Sequence, residues 1–405
     1  MIIINDKKKC SGCTACYSVC PQRCIEMRQD DEGFYYPEID TTKCINCGLC
    51  NEICPISGKQ LPGFECAEIF ACQNRNDNIR KISTSGGIFA AIASKILNMG
   101  GSVWAVGFDK DLTVIHKKAT SLSEMDDMYG SKYVQSELRE TFNEIKQELK
   151  KNEKPLLFVG TPCQVEGLLH YVGTDNGNLF TIDLVCYGVP SPKLYKKWIE
   201  TIERKHKKKI KCVYFRDKKY GYAGVNIKIA FTDDSFLEDR IEVKTFCKTM
   251  FSHIGLRPSC YECPFRGRKR KCDFTLGDLW EIGDYSTDMD DNKGTTKLQI
   301  YSEKGMSLFE AIRTDLIVCH MESLVGDRLI EKLDREKYSI SMPAKREMFF
   351  KDSNIMDYEE LIDKYLPTSI KEQLAIWLKP VILKTPISES FFRALKKLKA
   401  KRFSR

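Results

Sequence analysis

Apolar and polar positions change period repeatedly along this chain. Ile88-Phe89-Ala90-Ala91-Ile92-Ala93 opens an apolar helix that runs to about Met99, behind the small-residue start Ser83-Thr84-Ser85-Gly86-Gly87. Ser102 to Phe108 and Leu112 to Lys118 alternate as paired strands around the turn Asp109-Lys110-Asp111. Thr141 to Lys151 has helical period, and Pro155-Leu-Leu-Phe-Val159 is a continuous apolar strand. The next helix, Thr161 to Tyr171, has Thr161 as its cap and Pro162 in the first turn. Leu179 to Cys186 reads as another buried strand and Pro192 to Lys205 as another helix. Such alternation predicts a mostly parallel sheet flanked by helices. Residues 210 to 255 read as an antiparallel extension, and from Asp357 onward the pattern is helical and loosely attached.

Ahead of this body, residues 1 to 60 form a pseudo-repeat of two loop–helix units, with Gly33 to Ile39 as a hairpin whose aromatics shield what the loops hold. Lys59 to Phe64 is the linker. The expected organisation is an α+β or α/β chain: a ferredoxin-like domain at 1–60, a mixed body at 65–345 with halves near 65–150 and 151–345, and a helical tail at 355–405.

Composition narrows the class. The chain has 405 residues, 42% of them apolar, enough for two or three domains. Its start, Met1-Ile-Ile-Ile-Asn-Asp-Lys, is too short in apolar residues for a signal peptide, and no apolar run approaches a membrane span. A cytoplasmic location is expected, because thiolate chemistry needs a reducing interior. The net charge of +8 is uneven. Basic residues crowd Arg204 to Lys211 and the tail, where Arg393, Lys396, Lys397, Lys399, Lys401, Arg402 and Arg405 alternate with Phe392, Leu395, Leu398 and Phe403. The tail reads as a solvated end, with peripheral contact to an anionic membrane as the alternative. No nucleic-acid module is visible, since the basic residues lack an interleaved aromatic platform.

The chemistry lies in the 19 cysteines. Cys10-x2-Cys13-x2-Cys16-x3-Cys20-Pro21 and Cys44-x2-Cys47-x2-Cys50-x3-Cys54-Pro55 are two copies of the bacterial ferredoxin pattern and predict two [4Fe-4S] clusters. Three closely spaced thiolates wrap one cubane, and the proline after the fourth turns it toward the other. Cys54 is thus expected with Cys10, Cys13 and Cys16, and Cys20 with Cys44, Cys47 and Cys50. Zinc knuckles are the competing assignment, but zinc takes thiolates as two pairs rather than as triplets with a Cys-Pro echo.

A second set is looser. Cys260-x2-Cys263-Pro264 needs partners from afar, and Cys163 and Cys186 follow consecutive strands, which places them on one edge of a parallel sheet. Cys272 competes for a place. Cys66, Cys72, Cys212, Cys247 and Cys319 read as small apolar residues, and Cys24 as filler beside a cluster.

Gly160-Thr161-Pro162-Cys163-Gln164-Val165-Glu166-Gly167-Leu168 and Asp183-Leu184-Val185-Cys186-Tyr187-Gly188-Val189-Pro190-Ser191-Pro192 resemble the beta-subunit family of coenzyme F420 (deazaflavin) hydrogenases and dehydrogenases. Cys260-Tyr-Glu-Cys263-Pro-Phe, Asp273 to Trp280, Gly130 to Ser136 and the Ser85-Gly86-Gly87 helix start extend the resemblance over about residues 65 to 345. It implies an FAD, a third [4Fe-4S] cluster held by Cys163, Cys186, Cys260 and Cys263, and hydride exchange with a reduced deazaflavin. The family pattern has no cysteine at Cys272. It commonly has His where Tyr187 stands, and Gly where Glu281 follows Trp280.

For the flavin phosphates the Ser83 to Gly87 helix start is the candidate, because glycines allow close approach and a helix N-terminus favours anions. A tight turn beneath a packed helix is the alternative. Lys132 and Tyr133 are candidates for charge and stacking, Thr161 and Gln164 for hydrogen bonds, and Gly294-Thr295-Thr296 for a further loop. The expected function is an oxidoreductase exchanging electrons among a hydride-carrying coenzyme, FAD, clusters and a redox partner protein. The alternatives are a ferredoxin-driven reductase of an organic substrate and a non-catalytic electron carrier.

Overall fold

The computed structural model describes residues 2–382 except 152, 175, 224–225, 268 and 322–339. The basic residues Arg393 to Arg405 thus lie outside the described residues. The first hairpin pairs β1 (Ile25–Gln29) with β2 (Tyr35–Ile39), next to the short helices α1 (Ala15–Val19) and α2 (Leu49–Glu52).

An eight-stranded sheet forms the body. Its strands in chain order are β3 (Glu68–Asn74), β4 (Ser102–Phe108), β5 (Val114–Ala119), β6 (Leu156–Gly160), β7 (Leu179–Leu184), β11 (Phe274–Asp278), β12 (Thr296–Ile300) and β13 (Leu316–His320). Across the sheet they run β13-β3-β12-β11-β7-β6-β4-β5. The four strands β11, β7, β6 and β4 are parallel, and antiparallel strands close both sides. The two halves expected of the body therefore share one sheet.

The centre of the sheet reads as unbroken apolar runs because it is covered on both faces. In β6, Leu157 and Val159 face a core with Ile88, Ile92 and Ile96 of α4 (Ile88–Asn98) and Phe309 of α9 (Glu303–Glu310). Leu156 and Phe158 face Phe142 and Ile145 of α5 (Thr141–Lys151) and Val165, Leu168 and Leu169 of α6 (Pro162–Val172). Each fully buried side chain of this kind stabilises by about 1.5–3 kcal/mol.

Residues 210–255 differ from the expectation. β8 (Ile210–Asp217), β9 (Asn226–Phe231) and β10 (Phe236–Glu238) form their own antiparallel sheet, and Ile241–Phe251 is a helix, α8. The β-branched residues Ile241, Val243 and Thr245 carry the strand-like signal. The burial of Val243, Phe246, Cys247 and Met250, at helical spacing, outweighs it. α7 (Pro192–His206) packs on this unit through Trp198, stacked 5.5 Å from Phe246.

The C-terminal helices differ too. α10 (Arg346–Ser353) and α11 (Tyr358–Tyr365) are firmly attached, with Phe349, Phe350, Tyr358, Leu361 and Ile362 buried in the same core. α12 (Ile370–Ile382) follows with Trp377 exposed. The expected linker is tied at its end, where Phe64 exchanges backbone hydrogen bonds of 2.7 and 3.0 Å with Arg270.

His116, on β5, is buried, stacked 5.1 Å from Phe158, with Nε2 3.1 Å from the Val159 carbonyl and Nδ1 3.1 Å from Ser136 Oγ. Burial pushes its pKa down to about 4. The unfolded chain, with a histidine near pH 6.5, then binds a proton that the folded chain refuses between those values. Stability from this group is whole above about pH 6.5 and falls as pH drops toward 4. Between pH 7 and 5 the loss is about 2 kcal/mol. Anaerobic urea titrations are expected to show that loss in the wild type and a correspondingly flatter pH profile in His116→Asn; identical profiles would refute it.

Candidate functional site

The two N-terminal loops repeat one conformation. The residue after the second cysteine, Thr14 in one loop and Gly48 in the other, is left-handed (φ 63° and 81°) and starts a helix carrying Cys16 or Cys50. Burial, then the charges of Cys13, Cys10 and Cys54, push the Cys16 thiol well up. Burial, Cys10 and Cys54 push Cys13 up to about 12. Cys54 thus stands with the first triplet. A small pocket, partly open to solvent, is lined by Cys20, Cys44, Cys47 and Cys50, with Cys24 and Ile25 on its wall. Cys24 Sγ lies 3.4 Å from Cys20 Sγ, closer than filler requires.

The second set comes from three elements. Gly160 pairs with Asp183 across the parallel strands β6 and β7, and each is followed three residues later by a cysteine, Cys163 or Cys186. Leu256 bridges to Pro190, which draws in the loop bearing Cys260 and Cys263. The Cys163 thiol is pushed well up by burial first, then by Cys263, Cys186 and Cys260. Burial, then Cys260 and Cys263, push Cys186 up to about 12, and burial, then Cys263, push Cys260 up to about 11. Cys272 lies apart, buried beside Thr275, Asp183 and Arg270. Among the described residues no three His, Cys, Asp or Glu side chains form the tight group that holds a single metal ion.

One helix joins the two sets. Cys163 opens α6, and Gly167, one turn on, faces Cys13 so closely that an added Cβ would stand 2.8 Å from its Cβ and 2.9 Å from its Sγ. Only glycine fits this approach.

Three loops predicted to be cofactor candidates meet. Gly86 N donates to Thr296 Oγ1 (2.8 Å), Ser85 Oγ to the Thr295 carbonyl (2.7 Å), and Ser131 N to Thr84 Oγ1 (2.6 Å). A Cβ on Gly86 would meet the Cys72 carbonyl at 2.3 Å, so close packing accounts for that glycine. Ser83 is buried, and Gly87 caps α4 with φ 84°. Lys132 Nζ donates to the Gly130 carbonyl at 3.2 Å, and burial pushes its pKa down to about 8. Thr161 and Gln164 bond each other in the α6 cap (Thr161 N to Gln164 Oε1, 3.0 Å), and Gln164 Nε2 donates to Ser136 Oγ.

Sequence reasoning missed the cations at this junction. Arg216 Nη1 donates to Tyr133 OH (3.0 Å) and Asp278 Oδ2 (2.9 Å), its Nε and Nη2 are buried with no partner among the described residues, and it lies 5.0 Å from the Trp280 ring. Lys218 Nζ donates to the carbonyls of Arg80, Ser85 and Lys293. Burial, Arg216 and Arg80 push it down to about 7. The only sequence signal was a charge run, Arg216-Asp-Lys-Lys219, at the end of an apolar strand.

Residues 9–57 match the model of the 4Fe-4S dicluster domain, which makes the chain an iron–sulfur electron-transfer protein. Residues 153–323 match the model of the C-terminal part of the coenzyme F420 hydrogenase/dehydrogenase beta subunit. The chain thus joins an N-terminal dicluster domain to a segment that matches that beta-subunit family, which supports an oxidoreductase in the general sense. No curated protein matches it. Among solved structures it is similar to a chain from a xenon-derivatised F420-reducing [NiFe] hydrogenase complex of Methanosarcina barkeri, at TM-score 0.46 and 14% identity, covering 78% of this chain and 97% of that one. Among the described residues no helix is long and apolar enough to cross a membrane.

Gly167→Ala is expected to cost about 1–3 kcal/mol through overpacking against Cys13. It should also lower iron retention by the N-terminal loops, read as iron per chain after anaerobic gel filtration. Unchanged stability and iron would refute the contact.

Proposed function

We propose that the protein is an iron–sulfur flavoprotein oxidoreductase that passes electrons between a hydride-carrying coenzyme of the deazaflavin kind and a redox partner protein, in the cytoplasm. The observation that carries this reading is the gathering of Cys163, Cys186, Cys260 and Cys263 from three separate elements, one helical turn from Cys13. Cysteines serving only as small apolar residues have no reason to converge. These four would hold a third [4Fe-4S] cluster, beside the pair held by Cys10, Cys13, Cys16 and Cys54 and by Cys20, Cys44, Cys47 and Cys50.

The junction of the Ser83–Gly87, Gly130–Tyr133 and Gly294–Thr296 loops would hold FAD. The fit rests on chemistry present in the chain. Arg216 keeps two buried donors unused, and the depressed Lys218 ammonium sits beside it, so a bound phosphate would be met by cations it would also hold charged. A flavin bound there would supply exchange between two-electron and one-electron carriers. The chain's own part is to bind and orient: Arg80, fixed by two bonds to Asp291 (2.7 and 2.8 Å), holds the Gly294 carbonyl, while Thr84 and Ser131 lock the adjoining loops. The functional body corresponds to about residues 65–345, behind the cluster domain at 1–60.

Anaerobically purified protein is expected to contain about twelve iron atoms, three cubanes of four, with matching sulfide. It should also carry about one flavin per chain. Cys163→Ser should lose about four iron atoms and keep the N-terminal eight. Arg216→Gln should lower flavin retention severalfold while leaving iron unchanged. Eight iron atoms and no flavin in the wild type would overturn the reading in favour of a simple electron carrier.

A further inference from the structure

Arg257 is fully buried, and no carboxylate pairs with it among the described residues. In the turn of the adjoining hairpin, Asp30 is taken by Lys7 (2.6 Å) and Glu32 by Arg346 (2.8 Å), while Asp31 is exposed. Each nitrogen of the guanidinium donates instead to the first cysteine loop or its neighbours. Nε donates to the Cys10 carbonyl (2.8 Å), Nη1 to Gln135 Oε1 (3.0 Å) and Nη2 to the Tyr35 carbonyl (2.9 Å). Nη2 also points at Cys10 Sγ, 3.7 Å away. The Tyr36 ring covers the guanidinium at 4.3 Å and the Phe34 ring lies at 5.5 Å, which keeps water away.

A buried cation needs a compensating charge, and neutral oxygens and ring faces supply only part of it. The remaining candidate is the sulfur set to which it donates. On the reading that Cys10, Cys13, Cys16 and Cys54 hold a cluster, that cluster is anionic and becomes more so when it takes up an electron. No bond forms or breaks in that step; one negative charge is added beside a fixed positive one in a dry environment, where the attraction is strong. Arg257 also lies three residues before Cys260 in the same loop, with Cys260 N donating to the Arg257 carbonyl (2.9 Å). One short segment therefore supplies a ligand to one proposed cluster and a cation to the next.

We infer that Arg257 is a positioning residue that raises the reduction potential of the Cys10/Cys13/Cys16/Cys54 cluster, making that cluster the preferred resting place for an electron leaving the Cys163/Cys186/Cys260/Cys263 set. The inference rests on the proposed cluster arrangement, and the test separates the two.

Redox titration of the full-length holoprotein, followed by electron paramagnetic resonance, reads the potential of each cluster without any assay of turnover. Arg257→Gln is expected to lower the potential of one N-terminal cluster by at least tenfold in its one-electron equilibrium, about 59 mV. The other N-terminal cluster should stay where it is, and Arg257→Lys should recover most of the shift. Gln135→Glu places a carboxylate where Nη1 now donates and leaves Arg257 intact, so it should shift the same cluster the same way even if Arg257→Gln binds iron poorly. Fully loaded variants with unmoved potentials, or equal shifts of both N-terminal clusters, would overturn the inference alone. A wild type without two N-terminal clusters would overturn the arrangement beneath it.

Discussion

Gly160 and Asp183 face one another across two parallel strands, and a cysteine follows each by three residues. A slip of one residue in that pairing would turn Leu157 and Val159 from one core to the other and move Cys163 relative to Cys186. Burial on both faces forbids the slip. The same register sets where α6 begins and hence where Gly167 meets Cys13. The packing of a hydrophobic sheet thus fixes the distance between two sets of sulfur that lie far apart in sequence.

Assembly has an electrostatic side as well. In the chain without its cofactors, burial pushes the thiols of Cys13, Cys16, Cys163, Cys186 and Cys260 up, so these groups are neutral at pH 7. Thiolates would form there only against positive charge, such as bound iron would bring, and metal binding would then release protons. The hydrophobic cores thus bring these sulfurs together in their neutral form. A cage of ionised sulfurs at these depths would oppose the folding that makes it.

What could be read from sequence follows from how far each signal reaches. The dicluster domain was legible because a cubane is wrapped by one tight loop, so its cysteines lie close together in sequence. Cys163 and Cys186 were legible through the rule that parallel strands end on one edge. Arg216, Lys218 and Arg257 were not. Each reads as an ordinary charged residue near an element's end, and becomes buried only when β8 meets β11 or the Cys260 loop meets the first hairpin. Residues 241–251 misled for another reason: Ile241, Val243 and Thr245 favour strands locally, and only the buried faces of Phe246 and Met250 reveal the helix. Thr161 and Gln164 show the converse: polar residues placed beside a predicted cofactor edge are occupied with each other in a helix cap.

The buried arginines differ in what balances them. Arg80 is matched by Asp291, and Arg216 by Asp278 with two donors left over. Arg257 has no carboxylate partner among the described residues and donates to neutral oxygens and a cysteine sulfur. Carboxylate pairing would make each cation a local structural brace, indifferent to what the cofactor sites hold. A deficit of protein counter-charge makes the cation's energy depend on the charge bound beside it. In this fold the deficits fall at the first sulfur loop and at the junction of the three flanking loops, both places where the proposed cofactors would bring negative charge.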